Sequence, residues 1–265
     1  MQKKLLVAAL GTLFTMPVLA ADAPAAAPAS PYTITSNVGL VTDYLYRGIS
    51  QTGQHAAIQG GFDFAHTSGF YAGVWGSSIS WISDLAIATN AGTEIDTYLG
   101  YKNGFATDFT YDVGYLRYNY PGSYAAGATK ADTDEVYGAI GYKWVTAKYS
   151  YSLGDTFGTS KAKGTSYFDL SASYALPDTG VTLGAHYGKQ TFKGATADLA
   201  AATLIAGVSQ DPTYSDYKLS VSKDLSGYAL GLAYSKTNAK TGGAYTVLGK
   251  DLGRGTVVLS LSRTF

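Results

Sequence analysis

The closing stretch of the chain, residues 256–265, reads Thr256-Val257-Val258-Leu259-Ser260-Leu261-Ser262-Arg263-Thr264-Phe265. Val257, Leu259, Leu261 and Phe265 share one phase, broken only by Arg263, and Thr256, Ser260, Ser262 and Thr264 share the other. A period of two marks a strand with one apolar and one polar face. A soluble sandwich uses the same alternation. The fold therefore turns on whether it recurs in windows of about ten residues, with aromatics at both ends and connections of unequal length, as in a membrane-spanning barrel.

The pattern recurs in twelve windows: 32–47, 54–66, 70–81, 93–101, 105–120, 134–143, 144–153, 166–176, 181–190, 214–223, 227–236 and 256–265. An even number places both chain ends on one side. Short connections (66–69, 102–104, 143–144, 177–180 and 224–227) mostly carry the Gly, Asn, Asp or Pro that tight turns require. They alternate with longer ones at 48–53, 82–92, 121–133, 155–165, 191–213 and 237–255. In outer-membrane barrels the short turns are periplasmic and the long loops extracellular. Aromatics fall at both strand ends on the apolar phase. Phe62, Phe64, Tyr101, Phe109, Tyr142, Tyr174, Tyr228 and Phe265 lie near the short turns, and Tyr44, Tyr46, Tyr115, Tyr151, Phe168, Tyr187, Tyr217 and Tyr234 near the long loops. Two girdles around an apolar band are the expectation. Two windows resist it: in 70–81 both phases are apolar, and in 105–120 the aromatics change phase, as a β-bulge would cause.

The predicted fold class is thus an all-β, antiparallel transmembrane barrel of about twelve strands over residues 32–265, both termini periplasmic. Ahead of it, Lys3, Lys4, the apolar run 5–14 and Val18-Leu19-Ala20 predict a secretory signal over 1–20. Residues 21–31, rich in Ala and Pro, predict a flexible leader. No later apolar run approaches the ~18 residues of a spanning helix, so lipid contact must be made through strands. The chain has no cysteine, which excludes disulfides and thiolate sites, and its formal net charge is zero, which gives no footing to nucleic acid as a partner. Tyr 23 and Gly 32 are its unusual counts, suiting a membrane interface and tight bends.

The first hairpin, Ser36-Asn37-Val38-Gly39-Leu40-Val41-Thr42-Asp43-Tyr44-Leu45-Tyr46-Arg47-Gly48-Ile49-Ser50-Gln51-Thr52, resembles the opening of the TorF family of outer-membrane porins. The likeness continues through Ala57–Asp63, Gly69–Ser77 and Glu94-Ile95-Asp96 to the terminal Phe strand, and the Asp43–Thr52 run is its most specific part. The resemblance implies an outer-membrane location and a channel; it implies no substrate and no catalytic residue. Arg263-Thr264-Phe265 is similar to the C-terminal signal read by the outer-membrane assembly machinery, which makes Phe265 the candidate assembly residue and that machinery, with outer-membrane lipid, the expected partner.

Charges placed mid-strand cannot face lipid, where a basic group at the midplane costs about 2–4 kcal/mol. The polar phase therefore assigns Asp43, Arg47, His55, Gln59, Asp63, Glu94, Asp96, Asp108, Asp112, Glu135, Lys148, Asp169, His186, Asp216 and Lys218 to a lumen. Acids dominate that set, and fixed negative charge behind a low-dielectric wall favours cations. Small inward residues, among them Gly39, Gly61, Gly114, Ser150, Ser171 and Gly184, favour a wet bore. If residues 48–53 close the first hairpin, Arg47 falls opposite His55 and Asp43 opposite Gln59. The apolar run 199–208 in the longest loop fits either a short helix over the mouth or a loop tip without a gating role.

The three histidines, His55, His66 and His186, stand beside no distinctive Ser or Asp motif, so neither a catalytic constellation nor a metal site is expected, and no cofactor. The function predicted from these residues is passive diffusion of small hydrophilic solutes or ions through a bacterial outer-membrane barrel, with a cation preference. An outer-membrane barrel enzyme and a non-conducting structural or adhesive barrel are the alternatives.

Overall fold

The computed structural model describes residues 30–194 and 212–265. The predicted signal and most of the leader, and the apolar run 199–208, lie outside the described residues. Twelve antiparallel strands form a closed barrel: Tyr32–Val41, Ala57–His66, Phe70–Ser78, Thr93–Ala106, Phe109–Asn119, Thr133–Tyr142, Val145–Ser152, Ser166–Ala175, Val181–Thr191, Tyr214–Leu225, Tyr228–Thr237 and Thr256–Thr264. Each pairs with its sequence neighbour. The last closes on the first, with Asn37 opposite Thr264 and Val41 opposite Ser260. Closure leaves the barrel no open edge strand, which a hydrocarbon environment demands.

The closing strand shows why these residues form this surface. Val257, Leu259 and Leu261 are each more than two-fifths exposed, and so are Val38 and Leu40 on the first strand and Leu230 and Leu232 on the other neighbour. Exposed aliphatics repeated around a ring are an apolar belt, the lipid-facing surface of a transmembrane barrel. Arg263, the exception in the pattern, lies at the short-turn end. Its guanidinium stacks on Tyr228 and Phe265, and its Nη1 donates to the Tyr228 hydroxyl at 2.6 Å. A charge at the rim reaches the polar boundary along its own stem.

Four expectations are corrected. The first strand ends at Val41 opposite Ala57, so residues 42–56 are a loop rather than strand; Asp43 and Arg47 leave the ladder, and Gln59 pairs with Gly39. The fourth strand runs through residues 102–104 to Ala106, with the irregularity between Gly104 and Ala106 and the turn at residues 107–108. The Phe109–Asn119 strand carries no phase change: Phe109 and Val113 face out, while Leu116 and Tyr118 are buried on the inner phase. Tyr44 and Tyr46 belong to no girdle, because both are drawn inside the barrel mouth. In the ambiguous window, Phe70 and Val74 face out and Tyr71, Trp75 and Ser77 face in.

Four inward glycines, Gly73, Gly100, Gly114 and Gly188, seat tyrosine rings rather than open space, whereas Gly39, Gly61 and Gly184 meet serine or backbone atoms. Tyr71 lies opposite Gly100, Gly100 opposite Gly114, and Gly114 opposite Tyr137, forming one row across four strands. A Cβ at either glycine would strike a tyrosine ring, and the two hydroxyls meet above the glycines. The rings therefore lie along the wall instead of across the bore.

Candidate functional site: the lumen and its inserted loop

The loop between the first two strands folds into the mouth of the barrel. Leu45–Tyr46 and Ile49–Ser50 pair as a miniature hairpin whose two turn residues, Arg47 and Gly48, both have positive φ (48° and 78°). That conformation matches the twist of a tight hairpin, and it is best tolerated at glycine. A Cβ on Gly48 would stand 2.7 Å from Asp216 Cβ and from Thr237 Cγ2, so the tip presses on the wall.

From that tip Arg47 reaches strands on the far side of the ring. Its Nη2 donates to both Glu135 carboxylate oxygens, at 2.7 and 3.1 Å, and its Nη1 donates to Gln190 Oε1 at 2.7 Å. The guanidinium also lies over the rings of Tyr46 and Tyr167. Tyr46 donates to the Tyr118 hydroxyl at 2.7 Å. The loop base is fixed by Asp43, whose Oδ1 accepts from Ser50 Oγ at 2.6 Å and Thr52 Oγ1 at 3.1 Å. Burial raises the Asp43 carboxyl above its ordinary value, against the lowering effect of those two hydroxyls. Beside the loop is a cavity of about 130 Å³, walled by aromatics including Trp81, Phe157 and Tyr214, with Gln190 among its lining residues.

A second cluster gathers Asp169, His186 and Asp216 from three adjacent strands. His186 Nδ1 is 3.0 Å from Asp169 Oδ2, and Nε2 is 2.7 Å from Asp216 Oδ1. Tyr167 donates to Asp216 Oδ2 at 2.8 Å. Ser171 donates to Asp169 at 2.5 Å and lies 3.1 Å from His186 Nδ1. Sequence reading missed this Ser–His–Asp grouping because its members are cross-strand neighbours, Ser171 opposite His186 and Gly188 opposite Asp216, with no shared sequence motif. Both imidazole nitrogens are taken up by carboxylates. Neither is left to accept a proton from Ser171, which a nucleophilic mechanism needs.

Deeper in the bore, Tyr71 donates to Asp112 at 2.6 Å, Tyr98 donates to Asp63 at 2.5 Å, and Lys148 Nζ lies 4.0 Å from the Tyr137 ring centroid. Lys102, predicted to sit in a turn, faces inward over Tyr71. Gln59, Glu94, Asp96 and Glu135 are buried on the inner wall, and Lys218 stands opposite His186. Two assigned residues are elsewhere. Asp108 is in a short turn at φ 68°, 4.0 Å from Lys143, and His55 is exposed in the first loop beside Lys250. Both were read as strand positions, and both fall just beyond a strand end.

A closed ring of strands, apolar outside and charged within, defines a transmembrane β-barrel of the bacterial outer membrane. The chain belongs to the family described as "Bacterial protein of unknown function (Gcw_chp)", whose model matches residues 25–265. Among curated proteins nothing matches it. Among solved structures, the NanC porin aligns at 9% identity and TM-score 0.52, covering 88% of this chain and 99% of that one. OprD from Pseudomonas aeruginosa aligns at 15% and 0.40, over 88% and 66%. LpxR from Salmonella typhimurium aligns at 10% and 0.44, over 87% and 99%. At these identities the similarity to NanC is one of fold.

Proposed function

We propose that this protein is a narrow porin-like channel, as its resemblance to the TorF porins implies, passing small hydrophilic solutes or ions across the outer membrane with a preference for cations. The short turns are periplasmic and the long loops extracellular. The observation that carries this reading is the charged inner wall: Asp63, Glu94, Asp96, Asp112, Glu135, Asp169 and Asp216 face the bore against Arg47, Lys102, Lys148, Lys218 and His186. Below the loop the half-buried Asp63, Lys102, Asp112, Lys148, Asp169 and Lys218 keep contact with solvent, and a barrel packed solid at that level would have to desolvate them. Tyrosines laid over glycines keep the wall polar without crossing the bore, and the Arg47 loop sets the narrowest point. The acid excess along the wall concentrates cations in the bore.

Single-channel recording of the refolded protein in planar bilayers, with reversal potentials under a potassium chloride gradient, tests the proposal. Discrete conductance steps with cation selectivity are expected. An electrically silent barrel, even after the Arg47 contact is removed, would instead favour the structural alternative, which the inserted loop also fits. The engaged state of His186 argues against the enzymatic one.

A further inference from the structure

We propose that the outward face of the barrel at its long-loop rim, across the strands Val181–Thr191, Tyr214–Leu225 and Tyr228–Thr237, docks a phosphorylated lipid of the outer leaflet through Lys189 and Lys236. Such docking rests on the reading that the long loops are extracellular and is independent of conductance. Lys189 stands opposite Phe168 and Ser215, and Lys236 opposite Tyr217, which is itself opposite Tyr187. Residues directly opposite in a ladder point to the same side of the sheet. Phe168 and Tyr217 are exposed on the lipid-facing phase, so both lysines, also exposed, project outward. Arg117, an outward base elsewhere on the ring, is neutralised by Asp132 and Asp134. Among the described residues neither Lys189 nor Lys236 has an acid within ion-pair distance.

The two lysines stand at headgroup level. The Tyr187 hydroxyl lies 3.3 Å from Ser215 Oγ, so this girdle ring turns its polar end toward the row that holds Lys189. Tyrosine hydroxyls at that height mark the boundary of the hydrocarbon. Ser235 opposite Thr256 is the last pair of its ladder, which puts Lys236 at the rim as well. Below them the outward face is aliphatic: Leu170 is opposite Tyr187 and Leu219 opposite Tyr234, and both leucines are exposed. A free anion would leave that apolar surface uncovered. A lipid covers it with acyl chain and brings phosphate to the ammonium groups in a charge-assisted contact. At about 4.8 Å per strand and 3.4 Å per residue, two strands and two residues separate the lysines by roughly 12 Å, so one headgroup with two phosphates can meet both. A third base extends the surface. A Cβ at Gly164 would stand 3.4 Å from the Tyr151 hydroxyl and 3.8 Å from Lys193 Cγ, which lays the Lys193 stem beside another girdle ring.

The mature protein, refolded in detergent, is titrated with a lipid A carrying two phosphates, and retained lipid is counted by native mass spectrometry. One lipid held per barrel is expected, with dephosphorylated lipid A lost and the complex unaffected by an equal concentration of inorganic phosphate. Lys189→Gln and Lys236→Gln should each weaken binding about fivefold, the effect of one basic residue at an anionic surface, and together about 25-fold. Lys223→Gln removes an exposed base that faces outward at the short-turn rim, opposite Leu230, and should change nothing. All three lysines are exposed and support little of the fold, and heat-modified gel migration checks that each variant is a folded barrel. Equal retention of the two lipids, displacement by inorganic phosphate, undiminished binding by the double variant, or an equal loss with Lys223→Gln overturns the docking surface. Orientation is read separately. The chain has no cysteine, so Lys161→Cys in an exposed long loop can be labelled on intact cells with an impermeant maleimide. Binding without labelling overturns the outer-leaflet partner along with the orientation, and labelling without binding overturns this inference alone.

Discussion

Arg47 and Glu135, 88 residues apart in sequence, form an ion pair inside the barrel in which Nη2 alone donates to both carboxylate oxygens, at 2.7 and 3.1 Å, with both side chains almost wholly buried. One partner comes from a loop and the other from the far wall, so the pair ties the loop across the bore. It adds a charge-assisted contact to the loop's other anchors, among them the hydrogen bonds to Gln190 and Tyr118 and the backbone bonds of Ser50 with Leu252 and of Gln51 with Ser80.

Arg47→Ala should therefore have two effects. Leaving Glu135 buried and unpaired costs about 3–5 kcal/mol, seen as a lower thermal midpoint in detergent. Releasing the loop should also raise single-channel conductance. Adding Glu135→Gln should recover most of the stability while keeping the higher conductance. A variant with unchanged conductance would show that the loop does not set the constriction.

Selectivity should separate two aspartates that look alike in sequence. Asp112 faces the bore and Asp108 sits in a turn. Asp112→Asn should shift the reversal potential toward zero, and Asp108→Asn should leave it in place. Both the preference and the shift should shrink at 1 M salt, where the Debye length falls to about 3 Å. Equal effects of the two substitutions would count against the lumen as the selectivity element.

The Asp169–His186–Asp216 cluster reads as structural. His186→Ala leaves the buried Asp216 and the half-buried Asp169 facing each other and should cost about 3 kcal/mol. Ser171→Ala should cost about 1 kcal/mol, the worth of an ordinary hydrogen bond. Melting in detergent measures both. An ester hydrolysis assay on the wild type should give no rate that depends on Ser171, and a Ser171-dependent rate would restore the enzymatic alternative.

Phe265 is exposed beyond the end of the last strand, tied to the first by reciprocal backbone bonds with Ser36 at 2.8 and 3.1 Å. Its side chain supports little of the fold. Deleting it should lower the amount of protein in the outer membrane while leaving refolding in detergent largely intact. Unchanged membrane levels would remove its role as an assembly signal.

The outer face was legible because lipid contact is written locally. Every second residue of a strand must be apolar, so Val257, Leu259 and Leu261 announce their orientation without reference to any other part of the chain. Strand number followed from the same period and from turn residues. Tyr44 and Tyr46 were misread for an instructive reason. An aromatic on the apolar phase looks the same whether it meets lipid or packs beneath a folded-in loop, and only the end of the ladder at Val41 separates the two.

By itself, then, the sequence determined an antiparallel barrel of twelve strands, its apolar belt, and an interior dominated by acids, all consequences of period-two patterning and of the cost of charge in hydrocarbon. The tertiary structure alone decided how the first loop enters the bore, that Arg47 meets Glu135 rather than His55, that glycines seat tyrosines, and that His186 lies between two aspartates. Curvature closes the sheet and converges inward side chains from strands far apart in sequence. No local pattern encodes those meetings, because each residue's inward partner is set by register and ring closure rather than by its neighbours along the chain.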